Sequence, residues 1–156
     1  MKKNRVNLFV ILALLLGSFA YTGCGKKGCT VETDDNFDAA ATESDPEACD
    51  PTGTVSKFVG SYSGVETCTS GNDSYTMSIT ASANEYTVLL GNVYNAGANF
   101  VISANVSQNT ITIPNQTVLG VAVSGSGTLS GNILTATYTL SVSGQSDTCT
   151  LTATKQ

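Results

Sequence analysis

The chain has 156 residues, enough for one domain of ordinary size, and a formal charge of −5 from 12 acidic and 7 basic residues. It contains no histidine and no tryptophan, and from Lys57 onward no arginine. That composition excludes the clustered Lys and Arg of a nucleic-acid surface. It also removes the commonest catalytic base and the imidazole ligands of most zinc sites.

In chain order, Lys2, Lys3 and Arg5 come first, and an apolar run follows from Leu8 to Ala20, interrupted only by Gly17 and Ser18. At helical rise that run reaches roughly 20 Å, short of a hydrocarbon core of ~30 Å. The pattern predicts a secretory signal peptide over 1–23 rather than a membrane-spanning helix. Thr22-Gly23-Cys24 then resembles a bacterial lipobox, with Tyr21 where such boxes favour Leu. Looser versions of this motif occur in Bacteroidota-type lipoproteins. The resemblance implies that Cys24 is the lipidated first residue of the mature chain; Cys29 is a poorer acceptor because Lys26 and Lys27 precede it. The two or more acyl chains of such an anchor suffice for stable membrane attachment. It implies a membrane-anchored protein, facing the periplasm or on the cell surface. Gly25 stands where some bacteria place an Asp for inner-membrane retention, which favours the outer membrane.

Residues 24–56 read as an acidic, disordered tether. Between Glu32 and Asp50 there are eight carboxylates and no basic residue. Clustered like charge with few large apolar side chains argues for an extended spacer, with Lys26 and Lys27 against the headgroups. Asp34, Asn36 and Asp38 alternate like the ligands of a calcium loop, with Asp45 at the twelfth position. Such loops need glycine at the sixth position, and Ala39 stands there. A solvated spacer is therefore the main reading and calcium the weaker one.

From Lys57 to Gln156 the composition shifts to Thr, Ser, Gly, Asn and Val. Apolar residues alternate with Thr and Ser, as in Tyr75-Met77-Ile79, Tyr86-Val88-Leu90, Phe100-Ile102-Ala104-Val106, Leu134-Ala136-Tyr138-Leu140 and Cys149-Leu151-Ala153. Period two with one wet face predicts antiparallel strands. Gly- and Asn-rich segments between them carry hairpin chemistry. The expected fold is all-β: an antiparallel meander of about eight strands (57–68, 74–81, 85–91, 99–106, 109–113, 119–129, 133–143 and 147–154) closing into a small barrel or near-barrel.

Lipidation of Cys24 would leave an even set of four cysteines, and export favours two disulfides. Cys68 ends the first strand and Cys149 lies in the last, so a bond between them would join the ends of the sheet. Cys29 and Cys49 would then pair within the tether; pairing between tether and domain is the alternative. With no CxxC spacing, no metal site is expected from the cysteines.

A signal with lipobox, an acidic linker and a Thr-rich meander together resemble small lipoproteins with lipocalin-like or calycin-like domains. Gly60-x-Tyr62 is similar to the Gly-x-Trp of lipocalins, with Tyr in place of Trp. The resemblance implies a non-enzymatic barrel. No serine sits in a G-x-S-x-G elbow and no Gly-rich loop leads into a helix, and no cofactor is expected. Glu66 falls on the inward face with Tyr62 and could orient a ligand at the barrel mouth, and Tyr94 lies on the longest loop, 92–99. Two functional readings follow: a barrel binding a small apolar ligand, or a solid-cored module contacting a protein or glycan. The many bulky inward residues favour a filled core.

Overall fold

In a computed structural model of the protein, residues 25–156 are described. The expected signal peptide and the lipidated Cys24 lie outside the described residues. Among these, no helix is long and apolar enough to cross a membrane.

Eight strands form a closed antiparallel barrel: β3 (Gly60–Cys68), β4 (Gly71–Ala81), β5 (Thr87–Gly91), β6 (Val101–Ser107), β7 (Thr110–Val118), β8 (Val121–Ser130), β9 (Ile133–Val142) and β10 (Gln145–Lys155). Each strand pairs with its sequence neighbour, and β10 closes on β3 over Cys149↔Cys68 through Lys155↔Tyr62. The alternation in sequence is the alternation in burial. In β4, Tyr75, Met77 and Ile79 point in while Ser74, Thr76 and Ser78 face water; β9 and β10 repeat the pattern. Threonine suits the outer face because its branched carbon favours strand geometry and its hydroxyl stays wet.

Most strand ends shift by one to three residues, and two boundaries differ for a clear physical reason. Lys57–Val59 are not strand: Phe58 and Val59 N–H donate to the Val55 and Ser56 carbonyls, continuing the preceding helix as turns. The fifth strand does not stop at Pro114. It passes through a register shift between Ile113 and Gln116 and goes on to Val118. Proline has no N–H for the ladder and is accommodated at a bulge, while the Gln116 side chain restores pairing to the Ser103 backbone on the β6 side.

Side chains fill the barrel. Tyr62, Met77, Ile79, Ile102, Ile111, Leu134 and Leu151 are all under 2% exposed, as expected where eight strands leave an interior just wide enough for side chains. The Cys68–Cys149 disulfide joins directly facing positions of the closing pair. It spans 81 residues, which the chain-entropy relation converts to about 4–5 kcal/mol of stabilisation.

The acidic segment is not a disordered tether. Residues 25–59 fold into a cap: a short parallel pair, β1 (Lys27–Gly28) with β2 (Glu43–Ser44), a 3-10 turn at Pro46–Ala48, and helix α1 (Pro51–Ser56). Cys29 and Cys49 are bonded within it. The charge run misleads because most of its carboxylates have a separate task. Asp38 pairs with Lys26 at 2.7 Å and Asp35 with Lys57 at 2.5 Å. Asp45 caps the 3-10 turn and Asp50 caps α1, accepting from the Glu47 and Gly53 N–H groups. Val55 and Phe58 complete the hydrophobic core from the cap side, and the Lys57 ammonium also bonds Asn109 at 3.0 Å.

The meander places the turns 82–86, 108–109 and 131–132 at the capped end. The turns 69–70, 119–120 and 143–144, with the loop 92–100, lie together at the other end, which is open.

Candidate functional site

The open end carries a groove of about 510 Å³, within the range of small-molecule sites. Its walls are Ala96, Phe100, Val121, Leu140 and Val142. Its polar side is built around Asp147, which is in phase with the inward residues Cys149, Leu151 and Ala153 of β10 but sits at the strand's mouth end.

Asp147 is held by neutral donors. The Thr69 hydroxyl and Ser70 N–H donate to Oδ1, and the Ser70 and Tyr94 hydroxyls donate to Oδ2, the last at 2.8 Å. The hydroxyls of Ser70 and Thr69 keep this carboxyl well below the usual carboxylate range. No lysine among the described residues pairs with it.

Tyr94 reaches this position through a loop in unusual conformation. Asn92, Tyr94 and Asn95 all have positive φ, at 62°, 61° and 51°. Asn tolerates that region through local hydrogen bonds, so Tyr94 is the outlier, of a kind that persists only when its surroundings over-determine it. Here they do. The Tyr94 N–H donates to the Tyr75 hydroxyl at 3.0 Å, Asn92 bonds the Thr76 carbonyl at 2.7 Å, and Asn95 bonds Asp73 at 2.9 Å.

Beneath the groove lies Glu66, 1% exposed. Both the Tyr75 hydroxyl (2.8 Å) and the Tyr138 hydroxyl donate to its Oε1. A carboxyl at that depth is costly unless hydrogen-bonded, and the two tyrosines meet that need. Burial pushes the Tyr75 and Tyr138 hydroxyls far above the usual phenol range, and the Glu66 bond adds to it. Glu66 also lines a smaller groove of about 260 Å³ with Cys68, Ser70, Asp73 and Tyr94. Tyr94 thus ties the two acids together: its hydroxyl donates to Asp147 and its backbone N–H to the Tyr75 hydroxyl, which donates to Glu66.

The sequence-expected residues fall in three places. Glu66 is buried at the mouth end, inside the barrel as its register implied, with Tyr94 above it. Tyr62 belongs to neither groove. It is wholly buried towards the cap, and its hydroxyl donates to the Phe58 carbonyl at 2.7 Å, so it locks the cap to the barrel. The calcium candidates do not converge. Asp34 is buried, accepting from Asn36 N–H and the Tyr86 hydroxyl, both at 2.8 Å. Asp38 is committed to Lys26 and the Ala40 N–H, and Asn36 donates to the Ala48 carbonyl. Burial works to raise the Asp34 carboxyl, but bonds from the Asn36 and Asp50 backbone and Tyr86 leave it below its ordinary value.

Sequence reasoning missed Asp147. Its signal was available: an acid in phase with Cys149 and Leu151 is as conspicuous as Glu66 in phase with Tyr62. It is hidden because Asp147 is the first residue of the expected strand 147–154, next to the polar segment Gly144–Ser146. No protein-family model, no curated protein and no solved structure matches this chain.

Proposed function

We propose that this protein is a non-enzymatic binding module, a lipocalin-like barrel held to the membrane by a lipid on Cys24, whose open end takes a small apolar ligand. One observation carries the reading: a filled barrel, capped at one end, keeps an apolar-walled groove of about 510 Å³ at the other. The ligand position differs from the barrel interior that the resemblance suggests, because the interior is occupied by side chains. The cap contains the first described residues, so an anchor at Cys24 leaves the groove facing away from the lipid surface. Exposed Leu119 (76%) and Val142 on the same rim favour a second reading, contact with a surface partner.

Native mass spectrometry of the exported chain tests the proposal. The expected species begins at an acylated Cys24, keeps both disulfides and carries a small molecule that is lost in Ala96→Trp, which fills the groove. An unmodified Cys24 would remove the anchor from the reading. A chain that binds equally with Ala96→Trp in place would remove the groove.

A further inference from the structure

The hydrogen-bond directions at the mouth narrow the ligand further. The hydroxyls of Thr69, Ser70 and Tyr94 each have a single hydrogen, and each gives it to Asp147. What the Ser70 and Tyr94 hydroxyls keep for a ligand is therefore lone pairs, while the Thr69 oxygen also accepts from the Thr148 N–H at 3.4 Å. The cluster also holds one carboxylate charge, and Asp73, which accepts from Asn95, adds another on the same end. Gln145 and Ser146 also line the groove, and the Ser146 hydroxyl is hydrogen-bonded to that of Ser141 at 2.7 Å.

No cation offsets this charge among the described residues. Lys26, Lys27 and Lys57 pair with Asp38, Glu43 and Asp35 in the cap. Lys155 donates to the Lys57 carbonyl at 3.0 Å, also at the capped end. All the described cations thus sit at the capped end, and the acids at the mouth have none beside them. A neutral apolar ligand would leave the cluster's charge without a counter-charge, and an anion would meet lone pairs and like charge.

We propose that the groove takes an apolar molecule bearing a protonated primary amine, its body against Phe100, Leu140 and Val142 and its ammonium on the acceptor cluster around Asp147. This rests on the reading of the groove as an apolar-ligand site. An ammonium brings three donors and no acceptor, the complement of what the cluster offers. Charge complementarity of this kind decides between ligands more than it adds raw affinity.

Titration calorimetry of the full exported chain with 4-phenylbutylammonium, 4-phenylbutanol and 4-phenylbutyrate separates the possibilities, since the three share one apolar body. The ammonium is expected to bind about tenfold tighter than the alcohol, with the carboxylate weakest, and rising salt should narrow the gap. Asp147→Asn, close in shape, should bring the ammonium-to-alcohol ratio near one. Equal binding of ammonium and alcohol, tighter binding of the carboxylate, or an unchanged ratio in Asp147→Asn would each overturn the amine inference while leaving an apolar groove in place. Absence of binding by all three would remove the groove reading together with it.

Discussion

Replacing Tyr138 by Phe removes one oxygen and almost no volume, so no cavity term enters. What is lost is a hydrogen bond to a carboxyl that is 1% exposed. A bond to a charged group contributes about 1.5–3 kcal/mol, and the bond from Tyr75 survives, so a cost of about 2 kcal/mol is expected. The decisive measurement is the same substitution in a Glu66→Leu background. There the Tyr138 hydroxyl has lost its carboxylate acceptor and keeps only the Tyr75 hydroxyl beside it, and a poorly paired buried hydroxyl is itself destabilising. Tyr138→Phe should then be neutral or stabilising. Urea denaturation of the four proteins at near-neutral pH gives both values, and with the slope m unchanged the midpoints report stability alone. The coupling energy should be about 2 kcal/mol. An equal cost in both backgrounds would show that the tyrosines merely pack beside Glu66, and the network argument would fail.

Two further outcomes follow. In β8, a Cβ added at Gly125 would lie 2.5 Å from the Thr137 carbonyl oxygen and from Tyr138 Cβ, so Gly125→Val should cost about 3 kcal/mol or more; a thermal midpoint within a degree of the parent would contradict that close approach. At high pH, burial and the Asp34 bond push Tyr86 from 10.0 up to about 12, and burial raises Tyr62, Tyr75 and Tyr138 as well. Groups raised on folding give stability that is complete below their unfolded value and lost as pH climbs through the folded one. Stability should therefore fall from about pH 10 upward, with tyrosinate absorbance appearing together with loss of fold; free ionisation of all the tyrosines near pH 10 in a folded protein would refute it.

The barrel was legible because each long strand repeats one signal. Tyr75-Met77-Ile79 and Cys149-Leu151-Ala153 state their inner face residue by residue, and Cys68 and Cys149 at the two ends of the meander imply closure. Strand ends were less legible, since Gly71–Asp73 and Gln145–Ser146 extend the hairpin arms with exposed residues that carry no alternation. The cap was misread for a different reason. Charge repulsion along Glu32–Asp50 is a property of an unpaired chain, whereas the partners of Asp34, Asp35 and Asp38 are Tyr86, Lys57 and Lys26, all of them outside the run. The mouth was half legible. Glu66 announced itself by register, but the positive φ of Tyr94 that brings its hydroxyl to Asp147 leaves no mark in the local sequence.

The seam between β10 and β3 has a last consequence. A meander left open would present two unpaired strand edges, each a template for another chain. Here seven facing positions and a covalent bond close that gap, and the remaining free edges belong to the two-residue strands of the cap. A neighbouring chain therefore finds little backbone to extend, and must address the side chains at the mouth or the hydroxyl-covered outer wall.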